Sequence, residues 1–192
     1  MSSDSHPTLA LPAATLPLPT HVSDAAVQAR VLALFDEYSP RLLRYVRSCG
    51  LEPAVAEDVV QEVFLSLYRH VTLGRPEDNL RAWLFQVAHN LALRHHRQRR
   101  RRIDGNAWDD EAAAGLVDPS ANPEQVLAEA QARRTMRAAI GALAPRDRQC
   151  LSLRAEGLRY RDIARVLGMS LGGVAKAIAR AIDHLSSRHH QR

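Results

Sequence analysis

The segment LRYRDIARVLGMSLGGVAKAIARAIDHL, residues 158–185, restricts the fold more than any other part of the 192-residue chain. Ile163, Ala164, Val166 and Leu167 mark a short helix over about 160–167, and Gly168 can take the left-handed conformation that ends it. Ser170 then caps a longer helix whose buried face is Val174, Ile178, Ala181, Ile182 and Leu185. A small Ala164 lets the two helices approach, Gly168 makes the turn and Val174 locks them together. That pattern predicts a helix-turn-helix, whose second helix enters the DNA major groove. An αα-hairpin that binds nothing is the alternative. The exposed side of the second helix offers Ser170 at its start, then Gly172, Gly173, Lys176 and Arg180.

The remainder of the chain is also helical in period, with no convincing strand pattern. One helix is expected over about 24–38, and Ser39-Pro40 should restart the chain in a second that stops at Gly50. A third runs from Pro53 to about Val71. Val55, Val59, Val60, Val63, Leu67 and Val71 form its buried stripe, while Asp58, Gln61, Glu62, Leu65 and Arg69 fall on the opposite face. After a loop broken by Gly74 and Pro76, a fourth helix covers about 77–102, with Leu80, Trp83, Leu84, Val87, Ala88 and Leu91 as its core stripe. That stripe ends before the terminal arginines, so the basic end projects beyond the packed bundle.

Residues 103–132 contain no lysine or arginine but seven acidic residues, and their first part reads as a mobile acidic linker. Asn122-Pro123-Glu124 opens a second helical domain. The expected fold is all-α: two small helical domains, 23–102 and 122–188, joined by a flexible acidic linker over 103–121. Short tails precede and follow them, 1–22 and 189–192.

The net charge of +5 favours an acidic partner, nucleic acid being the commonest. No apolar run reaches the length needed to span a bilayer, so no direct membrane insertion is expected. The N-terminal segment lacks a basic start and is interrupted by prolines, making a poor signal peptide. Cys49 and Cys150 form no CxxC or zinc spacing and read as buried or half-buried thiols in a reducing cytoplasm. No convergent carboxylates, metal-ligand spacing, phosphate-binding glycine loop or nucleophile with a base is present. Neither an enzyme nor a cofactor is therefore expected. His95-His96 and His189-His190 are adjacent pairs, and neighbours on a helix point different ways.

Three motifs in order carry a resemblance: AEDVVQEVFLSLYRH and RAWLFQVAHNLALRHHRQRRRR in the first half, LAPRDRQCLSLRAEGLRYRDIARVLGMSLGGV in the second. The chain resembles a bacterial RNA polymerase sigma factor of the extracytoplasmic-function (ECF) type, over about residues 25–188. The resemblance implies a region two bundle and a region four helix-turn-helix, with core RNA polymerase, promoter DNA and an anti-sigma factor as partners. It implies that Asp58, Gln61, Glu62 and Leu65 contact core polymerase, where the residues alone suggest only a solvated helix face. It places minus-ten recognition and melting on Arg75, Asn79, Asn90, Arg94, Arg97, Arg100 and Arg101. Minus-thirty-five recognition falls on Ser170, Gly172, Gly173, Lys176 and Arg180. Trp83 matches a family tryptophan but lies on the core stripe, which favours packing over base stacking. Arg94 stands where the family often has Asp, and Gly173 and Ala175 depart from the family's recognition-helix pattern. A stand-alone helix-turn-helix regulator would account for the second domain but not for the Asp58–Gln61–Glu62 face.

Overall fold

The computed structural model describes residues 24–102 and 123–189, the side chains of 100–102, 123–129, 188 and 189 excepted. The expected N-terminal tail, the acidic linker and residues 190–192 lie outside the described residues. The described residues form seven helices: α1 (Asp24–Ser48), α2 (Pro53–Thr72), α3 (Leu80–Arg102), α4 (Pro123–Gly141), α5 (Pro145–Ala155), α6 (Tyr160–Leu167) and α7 (Leu171–His189).

Helix α1 differs from expectation. It runs unbroken through Pro40, whose missing N–H leaves one carbonyl of the preceding turn without its helical partner. Packing overrides that cost. Val27, Leu34, Tyr38, Leu42, Tyr45 and Val46 are all buried, and their spacing stays in helical phase across the proline. Gly50 closes the helix at φ 84°, and Pro53 at the first helical position starts α2. Helix α3 begins three residues later than its sequence pattern suggests. Asn79 sits at φ 59°, a left-handed conformation that a helix interior excludes and that asparagine tolerates better than most.

Helices α1, α2 and α3 form one bundle. Its centre is Tyr45, whose ring meets Phe85 edge-on at 5.4 Å between centroids. Both side chains are essentially inaccessible to solvent. Helix α3 buries more than the expected stripe: Ala82, Phe85, His89 and Ala92 are covered as well, because α1, α2 and α6 all pack on it. Trp83 is half-buried, 4.5 Å from the His70 ring, a packing role as expected.

The hydroxyl of Tyr45 lies 2.9 Å from His89 Nδ1. Burial keeps the phenol neutral by raising its pKa well above the usual value, so the O–H donates to an unprotonated ring nitrogen. Burial also lowers the His89 pKa below its ordinary 6.5. The unfolded chain takes up a proton at that ordinary value while the folded chain resists it, so acid favours unfolding. The contribution of His89 to stability is complete above pH 6.5 and is lost as pH falls through that value and below it. Thermal melts across this range should show a wild-type decline in Tm that is smaller in His89→Gln, which keeps an acceptor for Tyr45 and does not titrate.

The second unit follows the sequence pattern closely. Helix α6 ends at Gly168, φ 61°, and the Met169 N–H donates to the Ala164 carbonyl at 2.9 Å. The Gly173 N–H donates to Ser170 Oγ at 3.1 Å, the expected cap of α7. The buried face of α7 is Val174, Ala177, Ile178 and Ala181. Ile182 does not join it and is 50% exposed. At 100° per residue Ile182 stands about 80° round from Val174, at the edge of the stripe, and the small Ala177 fits the centre instead. Leu185 is only half-buried.

The two units are packed against each other, α3 on α6 and α1 on α5. Cys49 and Cys150 are buried and free, and burial pushes both thiols up to about 11, so neither is a reactive thiolate at neutral pH.

Candidate nucleic-acid interface

Three surfaces hold the residues singled out from the sequence. The first is the outer face of α2. Asp58, Gln61, Leu65 and Arg69 are exposed along it, and Leu65 shows 61% of its surface, a large apolar side chain on an otherwise polar stripe. Glu62 is half-buried and engaged: one terminal nitrogen of Arg94 on α3 donates to both of its carboxylate oxygens at 2.6 Å. The two positions were assigned from the sequence to different partners, Glu62 to polymerase and Arg94 to DNA, and the structure brings them together. An aspartate at 94 would set two like charges against each other there. Arginine instead neutralises the carboxylate and ties α2 to α3.

The second surface runs along the loop before α3 and the helix itself. Arg75, Asn79, Asn90, Arg94 and Arg97 are exposed, while the side chains of Arg100 and Arg101 lie outside the described residues. The Gln86 amide donates to Asn90 Oδ1 at 3.3 Å, one turn along, which orients the asparagine outward. Asn79 is engaged by the second unit: its amide donates to Asp162 Oδ1 at 2.7 Å. Arg99 pairs with Glu52 at 3.4 Å, across the gap between α3 and the start of α2.

The third surface is the helix-turn-helix. Ser170, Gly172 and Lys176 are exposed, and Gly173 is half-buried. A Cβ at Gly172 would meet nothing, so this glycine exposes backbone without any packing demand. A Cβ at Gly173 would stand 3.1 Å from Ser170 Oγ, the atom that caps the helix. A side chain at this position would make Ser170 Oγ give by a few tenths of an ångström. Arg180 points elsewhere: it grips the buried carboxylate of Asp147 on α5 through two nitrogens, at 2.9 and 2.6 Å. This fork fastens α7 to α5, and the hydrogen bonding to Asp147, together with that carboxylate's charge, raises the Arg180 pKa further.

Sequence reasoning missed Arg159 and Arg161. With Tyr160, Leu171, Gly172 and Ala175 they line an open cleft of about 580 Å³ between the starts of α6 and α7. The available signal was an arginine on either side of Tyr160 at the opening of the first helix of the motif. Among the described residues no group of three or more His, Cys, Asp or Glu is gathered as a metal site, and no helix is long and apolar enough to cross a membrane.

Comparison with known proteins places these surfaces in a family. Residues 34–102 match Sigma-70 region 2 and residues 133–185 match Sigma-70, region 4. The chain is 31% identical to the RNA polymerase sigma factor CnrH of Cupriavidus metallidurans over 80% of its own length and 83% of that protein's. It is 30% identical to the ECF RNA polymerase sigma factor BldN of Streptomyces coelicolor, over 80% of this chain and 58% of BldN.

The chain belongs to the ECF branch of the sigma-70 family.

It shares 30% identity with a third such factor, SigE of Mycolicibacterium smegmatis, over 88% of this chain and 66% of SigE. The chain thus spans 58% of the length of BldN and 66% of that of SigE. The fold is shared with solved sigma factors. RpoE of Bartonella quintana, in complex with the anti-sigma factor NepR, superposes with a TM-score of 0.64 at 21% identity, over 83% of this chain and 94% of that one. CnrH in complex with the cytosolic domain of CnrY gives 0.58 at 24%, over 88% and 92%. In family terms, α1–α3 hold the region 2 match, and α4–α7 hold the region 4 match.

Proposed function

We propose that this ECF factor, spanning region two over 23–102, a linker over 103–121 and region four over 122–188, binds core RNA polymerase and directs promoter-specific initiation. The observation that carries the reading is the presence of both regions, in order, on one chain whose α2 keeps Asp58, Gln61 and Leu65 exposed together. A stand-alone helix-turn-helix regulator would leave that face and the whole region two unit without a role. In this reading the protein contributes specificity and no catalysis, and acts in the cytoplasm where polymerase is. The class of partner bound to RpoE in its solved complex, an anti-sigma factor, extends to this chain as its regulator.

The residues divide the work by what they can reach. Asp58, Gln61, Glu62 and Leu65 face the polymerase, with Arg94 holding the Glu62 carboxylate in place. Asn90 presents an amide able to read a base edge, and Arg75, Asn79 and Arg97 flank it. The arginines at the end of α3, Arg100 and Arg101 among them, meet phosphates. At the minus-thirty-five element Ser170, Gly172 and Gly173 let the backbone approach, and Lys176 enters the groove. Arg159 and Arg161 lie beside it for the phosphates. Arg180 acts indirectly by fixing α7 on Asp147.

The direct test is reconstitution with core polymerase and sequencing of run-off transcripts. Specific start sites on genomic promoters are expected, and the reading fails if no stable holoenzyme and no specific start appear. In the same assay, replacing Arg99–Arg102 with alanine should weaken binding to all promoters alike. It should also flatten the salt dependence by about 0.7 per lost phosphate contact on single-stranded DNA and about 0.9 on duplex. Asn90→Ala should alter preference at one promoter position and leave the salt slope intact. Equal behaviour of the two variants would remove the assignment of Asn90 to a base.

A further inference from the structure

The loop between α2 and α3 carries Arg75 and Asn79, and few contacts hold its shape. Every residue from 73 to 79 is exposed, and Gly74 stands at φ 59° with nothing near the position of a Cβ. The far end is tied by Asn79 to Asp162. Before it, Glu77 pairs with Arg30 at 3.1 Å, but their side chains are 35% and 52% exposed, and ion pairs of this kind contribute little. A further tie comes from inside the bundle. His70, in the last turn of α2, is 8% exposed, and its Nε2 lies 2.9 Å from the Pro76 carbonyl oxygen. A carbonyl only accepts, so Nε2 carries the proton and donates. Trp83 of α3 lies against the ring, 4.5 Å between centroids, and restricts its orientation.

An imidazole is a costly side chain to bury here. Its Nδ1 is buried without a hydrogen-bond partner, and a buried polar atom left unpaired destabilises a fold. An aliphatic side chain of similar volume would fill the space without that penalty. What the imidazole adds is its N–H, and the N–H goes to the loop. Its acceptor is well placed to govern Arg75. Pro76 fixes its own φ and disfavours helical backbone at the residue before it. Holding the Pro76 carbonyl therefore sets the direction in which Arg75 leaves the loop. The Arg75 N–H also donates to the His70 carbonyl at 3.2 Å, so one residue grips the chain on both sides of the Arg75–Pro76 bond. We propose that His70 is a positioning residue for minus-ten recognition, holding the loop through Pro76 so that Arg75 is presented to the melted strand. The proposal rests on the sigma-factor reading for what Arg75 meets, though not for the anchor itself.

His70→Leu and His70→Gln separate the N–H from the packing. Both lose the ring against Trp83, and only glutamine keeps a donor for the Pro76 carbonyl. The anchor is read on the free, full-length chain by amide hydrogen exchange. The Arg75 amide should exchange about fivefold faster in His70→Leu than in His70→Gln, the net contribution of one hydrogen bond. The function is read in holoenzyme reconstituted with core polymerase, as affinity for a fluorescent single strand carrying the minus-ten element of a promoter mapped by run-off sequencing. His70→Leu should bind about tenfold more weakly than wild type, the contribution of one charge-assisted hydrogen bond, and His70→Gln should stay close to wild type. Thermal melts should rank the two the other way, leucine above glutamine, because leucine buries no polar group. A merely structural role would make binding follow stability. Arg75→Ala should cost as much as His70→Leu, and the double variant should lose no more than Arg75→Ala alone. Equal binding by the leucine and glutamine variants, or losses that add in the double variant, would overturn the positioning role. Equal Arg75 exchange in the two would overturn the anchor. A wild-type chain that does not co-elute with core polymerase would count against the sigma-factor reading instead and leave the exchange result standing.

Discussion

Leu65→Arg is expected to cost this ECF factor about 30- to 100-fold in affinity for core RNA polymerase while leaving its melting temperature close to that of wild type. The side chain is 61% exposed, so its replacement removes little from the folded core, and surface substitutions of this kind usually stay within about 0.5 kcal/mol of neutral. In the complex the position is different. An apolar side chain among Asp58, Gln61 and Glu62 is the part of that stripe with most to gain from being covered, and an arginine there would have to give up its hydration beneath the partner. Desolvating an interfacial charge costs about 2–3 kcal/mol, hence the predicted loss. Equilibrium binding to labelled core polymerase, paired with a thermal melt, checks both halves. Unchanged affinity would show that polymerase does not cover the α2 face.

The second large effect is on stability. Phe85→Ala removes a side chain with no exposed surface and leaves the edge-on Tyr45 ring facing a cavity. Buried phenylalanine truncations cost about 3–5 kcal/mol, against a total of about 5–15 kcal/mol for a typical domain. The damage should spread to the Tyr45–His89 hydrogen bond, because the same ring holds the hydroxyl in place. Urea unfolding should show a much lower midpoint, with the slope changed little if the unfolded ensemble is unaltered. Ile182→Ala is the control. Its periodicity assigns it to the buried face of α7, yet half of its surface is exposed, and its truncation should cost less than about 1 kcal/mol. A mild Phe85 variant or a severe Ile182 variant would contradict the packing described above.

The contrast between Phe85 and Ile182 also shows how far a linear pattern carries. Periodicity locates the stripe that faces the principal neighbour of a helix, and it did so for α2 and for the centre of α7. It gives no account of a helix covered on several sides, and so Phe85, His89 and Ala92 escaped the expected stripe of α3. Pro40 is the converse case. A local rule for proline suggested a break, but the in-phase residues on either side bury enough surface to keep α1 whole. Asn79 needed the structure too, because the loop pulls it into a left-handed conformation that delays α3.

The polar residues divide in the same way. Their types and spacing marked Asp58, Gln61, Asn90 and Lys176 as exposed on the right helices. Spacing did not reveal that Arg94 holds Glu62, that Arg180 is committed to Asp147, or that Asp162 takes the amide of Asn79. Each of these pairs joins residues at least 32 positions apart.

By itself, then, the sequence determined the all-helical class, the course of α2, the helix-turn-helix with its Gly168 turn and Ser170 cap, the order of the two units and the family to which they belong. All of these rest on local conformational preference and on the 3.6-residue repeat, which act over a few turns of chain. Only the tertiary structure decided which exposed charges are paired and which face solvent, and that the second unit packs on the first, α6 on α3 and α5 on α1. Those outcomes depend on distances between residues remote in sequence, and Coulombic and hydrogen-bonding contacts form wherever the packed helices bring such residues together.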